Sequence, residues 1–100
     1  MTERDLGEIR VLRTEAAAVR ELMRVEREPR CMAALCEHLG MVEARRFALM
    51  AWILEIPDAR VRSICIMRFL EGKSWETIAR RMHYERTSPA KILRRWLKGI

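Results

Sequence analysis

Four basic side chains recur at helical spacing near the end of the sequence. A helix is predicted from Ser88 onward, and four cations fall on one side of it. They are Lys91, Arg94, Arg95 and Lys98, hereafter the basic stripe. No acidic residue lies among them, although acids usually alternate with bases on a surface that contacts only water. Ammonium and guanidinium groups bind phosphates and carboxylates, so the stripe indicates a polyanion or an acidic protein surface as partner.

The distribution of charge supports this interpretation. Residues 1–50 hold nine Arg and nine Asp or Glu, which balance, whereas residues 51–100 hold eleven Lys or Arg against five acids. The formal net charge of +6 therefore arises entirely in the second half. A basic face without any partner is the alternative, and the uneven distribution argues against it.

The cysteines and histidines do not form a recognisable metal or catalytic site. Cys31, Cys36 and Cys65 lie in apolar surroundings, which predicts reduced cysteines in the core. Cys31 and Cys36 lack a matched second pair, and Cys36 and His38 point away from each other on a helix, which disfavours zinc. No glycine-rich phosphate loop or paired-carboxylate pattern occurs. We therefore expect no enzyme activity, no metal and no cofactor.

The composition is typical of a helical protein. Half of the residues are apolar, and only four Gly and three Pro interrupt the chain. The longest apolar run, residues 47–54, is far shorter than the roughly 20 residues that a membrane-spanning helix needs. The N-terminal residues mix acids with bases and lack the apolar stretch of a signal peptide. We expect a cytoplasmic all-α protein that has no contact with a membrane.

The N-terminal half is predicted to form three helices. The first spans about residues 3–27, and Pro29 ends it. Its apolar residues recur every three or four positions and form the N-terminal seam, which comprises Ile9, Leu12, Ala16, Val19 and Met23. A short helix over residues 30–39 is predicted to end at Gly40. The third helix covers residues 42–55, and its apolar residues are predicted to be core: Phe47, Met50, Ala51, Trp52, Ile53 and Leu54.

Capping signals define the helices of the C-terminal half. Asp58 is a good N-cap for a helix that runs through Leu70, with Gly72 as its stop. Ser74 is predicted to cap a helix over residues 75–82. Ser88 is predicted to cap the last helix, residues 89–100, which has a proline at its first position.

These elements predict one architecture. The fold is all-α, with a long N-terminal helix and a helical bundle that ends in a C-terminal helix-turn-helix. Residues 1–56 form a region for support or dimerisation in this prediction, and residues 57–100 form the region that contains the helix-turn-helix.

The C-terminal half resembles region four of bacterial sigma factors. The resemblance depends on Arg68-Phe69 at the end of one helix, on Gly72 before the turn, and on Ile78-Ala79 in the following helix. Small phage and prophage transcriptional regulators of the ArpU and RinA type are similar. The resemblance implies that the last helix enters the major groove of double-stranded DNA.

This resemblance and the side-chain chemistry together suggest contacts to DNA. Residues near the start of the last helix are expected to reach base edges: Thr87, Ala90, Lys91 and Arg94. Residues further along it and around the supporting helix are expected to contact phosphates: Lys73, Arg80, Arg81, Arg95 and Lys98. The chain has no Asn or Gln, which excludes the bidentate amide–adenine contact. Readout is then expected to depend on pairs of Lys or Arg with guanine, on thymine methyl contacts or on DNA shape.

The joint between the last two helices departs from the sigma-like pattern. His83 stands where such motifs usually have Gly, and histidine tolerates a positive φ better than most residues. The joint, residues 83–87, is also longer than the usual three or four residues. Tyr84 is expected to fill the corner between the helices, and Trp75 and Trp96 are expected in the core.

The N-terminal seam must be buried against another surface, because an isolated helix gains little stability without a packed face. We expect a homodimer through this seam, with packing inside one chain as the alternative. A two-fold dimer would present two reading helices to DNA half-sites about 34 Å, or a multiple of that distance, apart.

Three functions are compatible with these features. The first is a sequence-specific transcriptional regulator of phage or prophage type. The second is a helical interaction module whose basic stripe docks an acidic partner such as an RNA polymerase subunit; sigma-like folds bind protein as well as DNA. The third is a phage DNA-packaging protein similar to a terminase small subunit.

Overall fold

Five α-helices form most of the chain, which confirms the all-α fold class. The computed structural model describes every residue from Met1 to Ile100. Helix α1 spans Glu3–Val25, α2 Pro29–Leu54, α3 Ala59–Cys65, α4 Trp75–Met82 and α5 Ser88–Lys98. A π-helical turn, Ile66–Leu70, directly continues α3. The molecule is elongated, with principal extents of 53 × 26 × 17 Å.

Helix α1 begins with a reciprocal cap. The Thr2 side chain accepts a hydrogen bond from the Asp5 N–H at 3.1 Å, and the Asp5 carboxylate accepts one from the Thr2 N–H at 2.9 Å. These hydrogen bonds lower the pKa of Asp5. The helix ends at Val25, close to the predicted end.

The two helices predicted over residues 30–39 and 42–55 are one continuous helix, so the predicted end at Gly40 is wrong. The Glu28 carboxylate caps α2 by accepting a hydrogen bond from the Cys31 N–H at 2.8 Å. Gly40 is exposed, while Leu39 is half-buried and Val42 is buried. The apolar pattern thus continues through position 40, and this packing outweighs the roughly 1 kcal/mol that a helical glycine costs relative to alanine.

The N-terminal seam lies inside the hairpin that α1 forms with α2. Ile9 and Ala16 are buried within a single chain, and the other three seam residues, Leu12, Val19 and Met23, are half-buried. The seam predicted for a homodimer is therefore covered by the same chain, and the intramolecular alternative describes the structure. Helix α2, at 26 residues, is long enough to extend along all of α1.

Ion pairs join the two helices of the hairpin, and at least one side chain of each pair is about half exposed. Arg20 pairs with Glu43, and the Arg45 Nε lies 3.4 Å from the Glu8 Oε2. Such pairs contribute little stability individually, since water screens them. The buried apolar residues therefore hold the hairpin together.

Of the six α2 residues predicted to be core, three are exposed, while Met50 and Trp52 are half-buried and pack against the core. Phe47 and Leu54 are 54% and 55% exposed, and Ala51 is exposed as well. Ile53 is buried as predicted, together with Val42 and Leu49 from the opposite side. Helix α2 is apolar on both sides, so periodicity alone could not identify the buried one.

One hydrophobic core unites both halves of the chain. Its eleven buried residues are Leu6, Ile9, Leu49, Ile53, Ile56, Val61, Ile64, Cys65, Phe69, Ile78 and Leu93. All five helices contribute to them. The two regions predicted from the sequence, residues 1–56 and 57–100, therefore share one core. Trp75 and Trp96 pack against it while half-buried, whereas Tyr84, predicted to fill a corner, is 36% exposed.

The cysteines differ in their surroundings. Cys65 is buried in the core as predicted, and burial raises the pKa of its thiol to about 12. Cys31 and Cys36 are exposed, so their prediction as core residues is wrong.

Candidate functional site

Helix α4 is fixed by caps at both ends. The Ser74 hydroxyl accepts a hydrogen bond from the Thr77 N–H at 3.1 Å, as predicted for the N-cap. At the other end His83 adopts the left-handed conformation, with φ 60° and ψ 39°, and the predicted positive φ is confirmed. Ile78 and Ala79 are buried, which directs Arg80 towards solvent on the other side of the helix.

Helix α5 follows after the exposed joint and packs on the core. It begins at Ser88, so the N-cap is Thr87 rather than the predicted Ser88, and the Thr87 side chain makes no capping hydrogen bond. Pro89 and Leu93 are buried, and both lie opposite the basic stripe on the helix. These buried residues fix the rotation of α5 about its axis.

All four residues of the basic stripe are exposed. Lys91, Arg94, Arg95 and Lys98 project from the outer side of α5, and this helix contains no acid. Arg95 lies beside Arg60 of α3 in a shallow groove of about 240 Å³. Lys98 lies on the other flank, where Met1 and Thr2 approach α5.

The predicted base-contacting residues line a single groove. This groove has a volume of about 540 Å³ and lies between the start of α4 and the outer side of α5. It contains all four of them: Thr87, Ala90, Lys91 and Arg94. The residues predicted to contact phosphates lie outside it; Arg80 and Arg81 are exposed at the end of α4, and Lys73 is half-buried.

The same groove contains basic residues that were not among the predicted DNA contacts. Arg68 projects from the π-helical turn, and its guanidinium carbon lies 4.6 Å from the ring centroid of Trp75. Arg86, from the joint, lies 3.9 Å from the Glu76 carboxylate. Arg68 is part of the Arg-aromatic pair that carries the sigma-like resemblance, but nothing in the sequence indicated that its side chain would turn towards α5.

An acidic residue from the other end of the chain holds Arg94. The Glu3 carboxylate accepts two hydrogen bonds from the Arg94 guanidinium, at 3.0 Å and 3.2 Å. These bonds raise the pKa of Arg94. Because 91 positions separate the two residues, no local pattern could have revealed the contact. Glu3 was not among the residues that the sequence predicted for this surface.

His38 and the cysteines lie apart from this groove. His38, considered with the cysteines as a metal ligand, has its Nε2 2.5 Å from the Glu15 carboxylate across the hairpin. No three potential ligand residues come together around a common point.

None of the helices combines the length and apolar character that crossing a membrane requires.

Comparison with protein-family models, with curated proteins and with solved structures finds no match to this chain. The resemblance to sigma-factor region four therefore depends only on the residues quoted above.

Proposed function

We propose that the protein is a sequence-specific DNA-binding transcriptional regulator, of the type found in phages and prophages and acting in the cytoplasm. In this proposal α4 and α5 form a helix-turn-helix, and α5 enters the major groove. The observation that carries the proposal is the convergence of four candidate base-contacting residues in one exposed groove beside a stripe of cations.

The dimensions of α5 suit this role. Its eleven residues extend about 16 Å, and a helix of this kind fits the major groove, which is about 12 Å wide. Lys91 and Arg94 would donate hydrogen bonds to guanine O6 and N7. Ala90 and Thr87, near the start of the helix, would contact thymine methyl groups.

Cations around the groove would hold the DNA backbone. Arg95 and Lys98 flank the reading residues on α5, and Arg80 and Arg81 extend the positive surface along α4. The N-terminal end of α4 also opens into the groove and adds its partial positive charge. Contacts of this kind to phosphates position the protein without reading sequence.

The test is removal of the basic stripe by the quadruple variant Lys91→Ala, Arg94→Ala, Arg95→Ala and Lys98→Ala. Helicity should be retained, because all four side chains are exposed. Affinity for a duplex of random sequence, measured by fluorescence anisotropy, should fall by orders of magnitude. The slope of log K against log salt should decrease by about 0.9 for each phosphate that the variant no longer neutralises.

A second quadruple variant controls for net charge. Four exposed arginines lie away from α5, and their replacement by Ala removes the same number of charges: Arg13 in the middle of α1, and Arg24, Arg27 and Arg30 around the turn of the hairpin. This variant should bind DNA within a few-fold of the unmodified protein. Equal DNA affinity in both variants and the unmodified protein would contradict α5 as the reading helix.

The alternatives give different results in the same assay. A module that docks an acidic partner, such as an RNA polymerase subunit, would bind that partner through the basic stripe and bind duplex only weakly. A packaging protein similar to a terminase small subunit would bind duplex with little preference between promoter-like and random sequences. Selection from a random duplex pool should yield a defined motif if the protein is a sequence-specific regulator.

A further inference from the structure

The side of α2 that faces away from α1 is apolar and uncharged over almost four turns. It comprises Gly40, Met41, Ala44, Phe47, Ala48, Ala51 and Leu54, hereafter the outer α2 face. All seven residues are exposed, and Met41, Phe47 and Leu54 are 66%, 54% and 55% exposed. Apolar patches of this size on soluble proteins usually mark an interaction surface.

The pattern of this face is symmetric along the helix. When the α2 helix of a second copy runs antiparallel, with the two-fold axis between positions 47 and 48, two residues lie at the same height if their numbers sum to 95. Along the central line of the face Ala44 then meets Ala51. Because a two-fold axis brings the same flank of both helices together, Met41 meets the flank that contains Trp52, and Phe47 meets Phe47 of the other copy. The contacts within the face are therefore apolar and self-complementary, and two charged groups border it: Glu55, opposite Gly40, and Arg46, whose guanidinium carbon lies 5.1 Å from the Phe47 ring centroid. Such self-complementarity is what a two-fold interface requires.

A groove lies at the place that Met41 of the other copy would reach in this antiparallel arrangement. It has a volume of about 340 Å³ and lies at the C-terminal end of α2, lined by Trp52, Glu55, Ile56, Pro57, Trp96 and Ile100. Met41 and Trp52 lie towards the same flank of the outer α2 face, so Met41 of one copy would reach this groove of the other. A flexible thioether suits an aromatic-lined groove. Ile100, at 65% exposed, would also be covered.

We propose that two copies of the chain associate through their outer α2 faces as an antiparallel two-fold dimer. The face is about 20 Å long. Together with Ile100 it would bury on the order of 600 Å² per copy, which is close to the lower limit for specific dimers. The partner is a second copy of this chain, because the exposed Met41 side chain and the groove that would receive it occur on the same chain as the apolar face. This dimer does not depend on DNA binding.

The first experiment places a charge at the two-fold axis. Ala48→Glu brings two carboxylates together in the dimer, yet its position is exposed and helical, so each chain should still fold. The matched control is Ala18→Glu, the same change at an exposed helical position on the outer side of α1. Sedimentation equilibrium at tens of micromolar should give twice 11.9 kDa for the unmodified chain and for the control.

The Ala48→Glu variant should instead sediment as a monomer, with a dissociation constant raised at least about a hundredfold, because like charges in an interface are strongly unfavourable. Ala48→Lys should also be monomeric. An equimolar mixture of the two variants should restore the dimer, which a folding defect could not do. A monomeric unmodified chain, or a dimer dissociated by Ala18→Glu and retained by Ala48→Glu, would overturn the proposal.

Cross-linking tests the antiparallel register. In a chain whose exposed Cys31 and Cys36 are changed to Ser, Ala48→Cys should be joined to its copy by a short bis-maleimide. Ala33→Cys, also exposed on α2, should not react, because the two copies of this position would lie roughly 40 Å apart. Equal cross-linking at both positions would indicate parallel helices and contradict the register.

Discussion

Helices α5 and α2 each turn one side to solvent, and the two sides differ completely in charge. The outer side of α5 has four cations and no acid, whereas the outer α2 face has no charge along its seven residues. Both helices direct their buried residues into the same core. The core therefore determines which side is exposed, and the composition of that side determines which class of partner it can bind.

The two surfaces should also respond differently to salt. Binding of DNA by the basic stripe releases counterions and weakens steeply as salt rises. Association through the outer α2 face depends mainly on apolar contacts, and screening reduces the repulsion between two chains of net charge +6, so this association should not weaken as salt rises. Salt titration therefore separates the two interactions without any substitution.

The largest expected effect concerns the two sides of α2. Leu49 is 1% exposed, and Leu49→Ala should lower the free energy of unfolding by about 2–5 kcal/mol because a cavity remains in the core. Phe47→Ala should change it by less than about 1 kcal/mol, since this side chain is 54% exposed and lies outside the core. Both should be measured by urea denaturation in the monomeric Ala48→Glu background. Similar losses for the two variants would mean that the assignment of inner and outer sides is wrong.

The second prediction divides reading from positioning on the basic surface. Arg94→Ala should weaken binding to a preferred duplex by about tenfold to a hundredfold and leave random duplex almost unaffected. Arg80→Ala, which removes an exposed α4 cation, should weaken binding to both duplexes to the same extent. Binding-site selection followed by sequencing measures this difference. An identical preferred motif for Arg94→Ala and the unmodified protein would contradict the role of Arg94 in base recognition.

The smallest predicted effect concerns the Glu3 carboxylate, which competes with DNA for Arg94. Glu3→Gln should release the guanidinium and raise DNA affinity by about two- to fivefold at low salt, since exposed ion pairs are weak. Glu8→Gln removes the same charge from α1, where Glu8 pairs with Arg45, and serves as the control. If DNA affinity rose equally in both variants, the cause would be the change in net charge, and competition between Glu3 and DNA for Arg94 would be excluded.

The sequence predicted the C-terminal half well because each signal there is local and strong. Asp58 and Ser74 cap their helices as expected, and His83 adopts the expected positive φ. Residues of α5 alternate sharply between apolar and basic, so only one rotation of this helix buries the apolar side. Consequently the exposed state of the basic stripe could be predicted from spacing alone.

The N-terminal half was harder to predict because α2 is apolar on both sides. Periodicity indicated a core at Phe47 and Leu54, whereas packing against α1 selected the side with Leu49. The π-helical turn at 66–70 has no local signature in the sequence, and it was not predicted. The Glu3–Arg94 pair depends on the whole fold, because α1 must reach α5 before the two residues meet.

The three tryptophans give these surfaces separate optical signals. Trp52 and Trp96 stand edge to face with ring centroids 5.9 Å apart, close enough for their excited states to couple and to produce near-ultraviolet circular dichroism. This pair borders the groove proposed to receive Met41, so its ellipticity should follow dimer formation. Trp75 lies under Arg68 in the groove beside α5, so its fluorescence should follow DNA binding instead. Near-ultraviolet circular dichroism thus follows the Trp52–Trp96 pair, and tryptophan fluorescence, to which all three residues contribute, follows DNA binding through the change at Trp75.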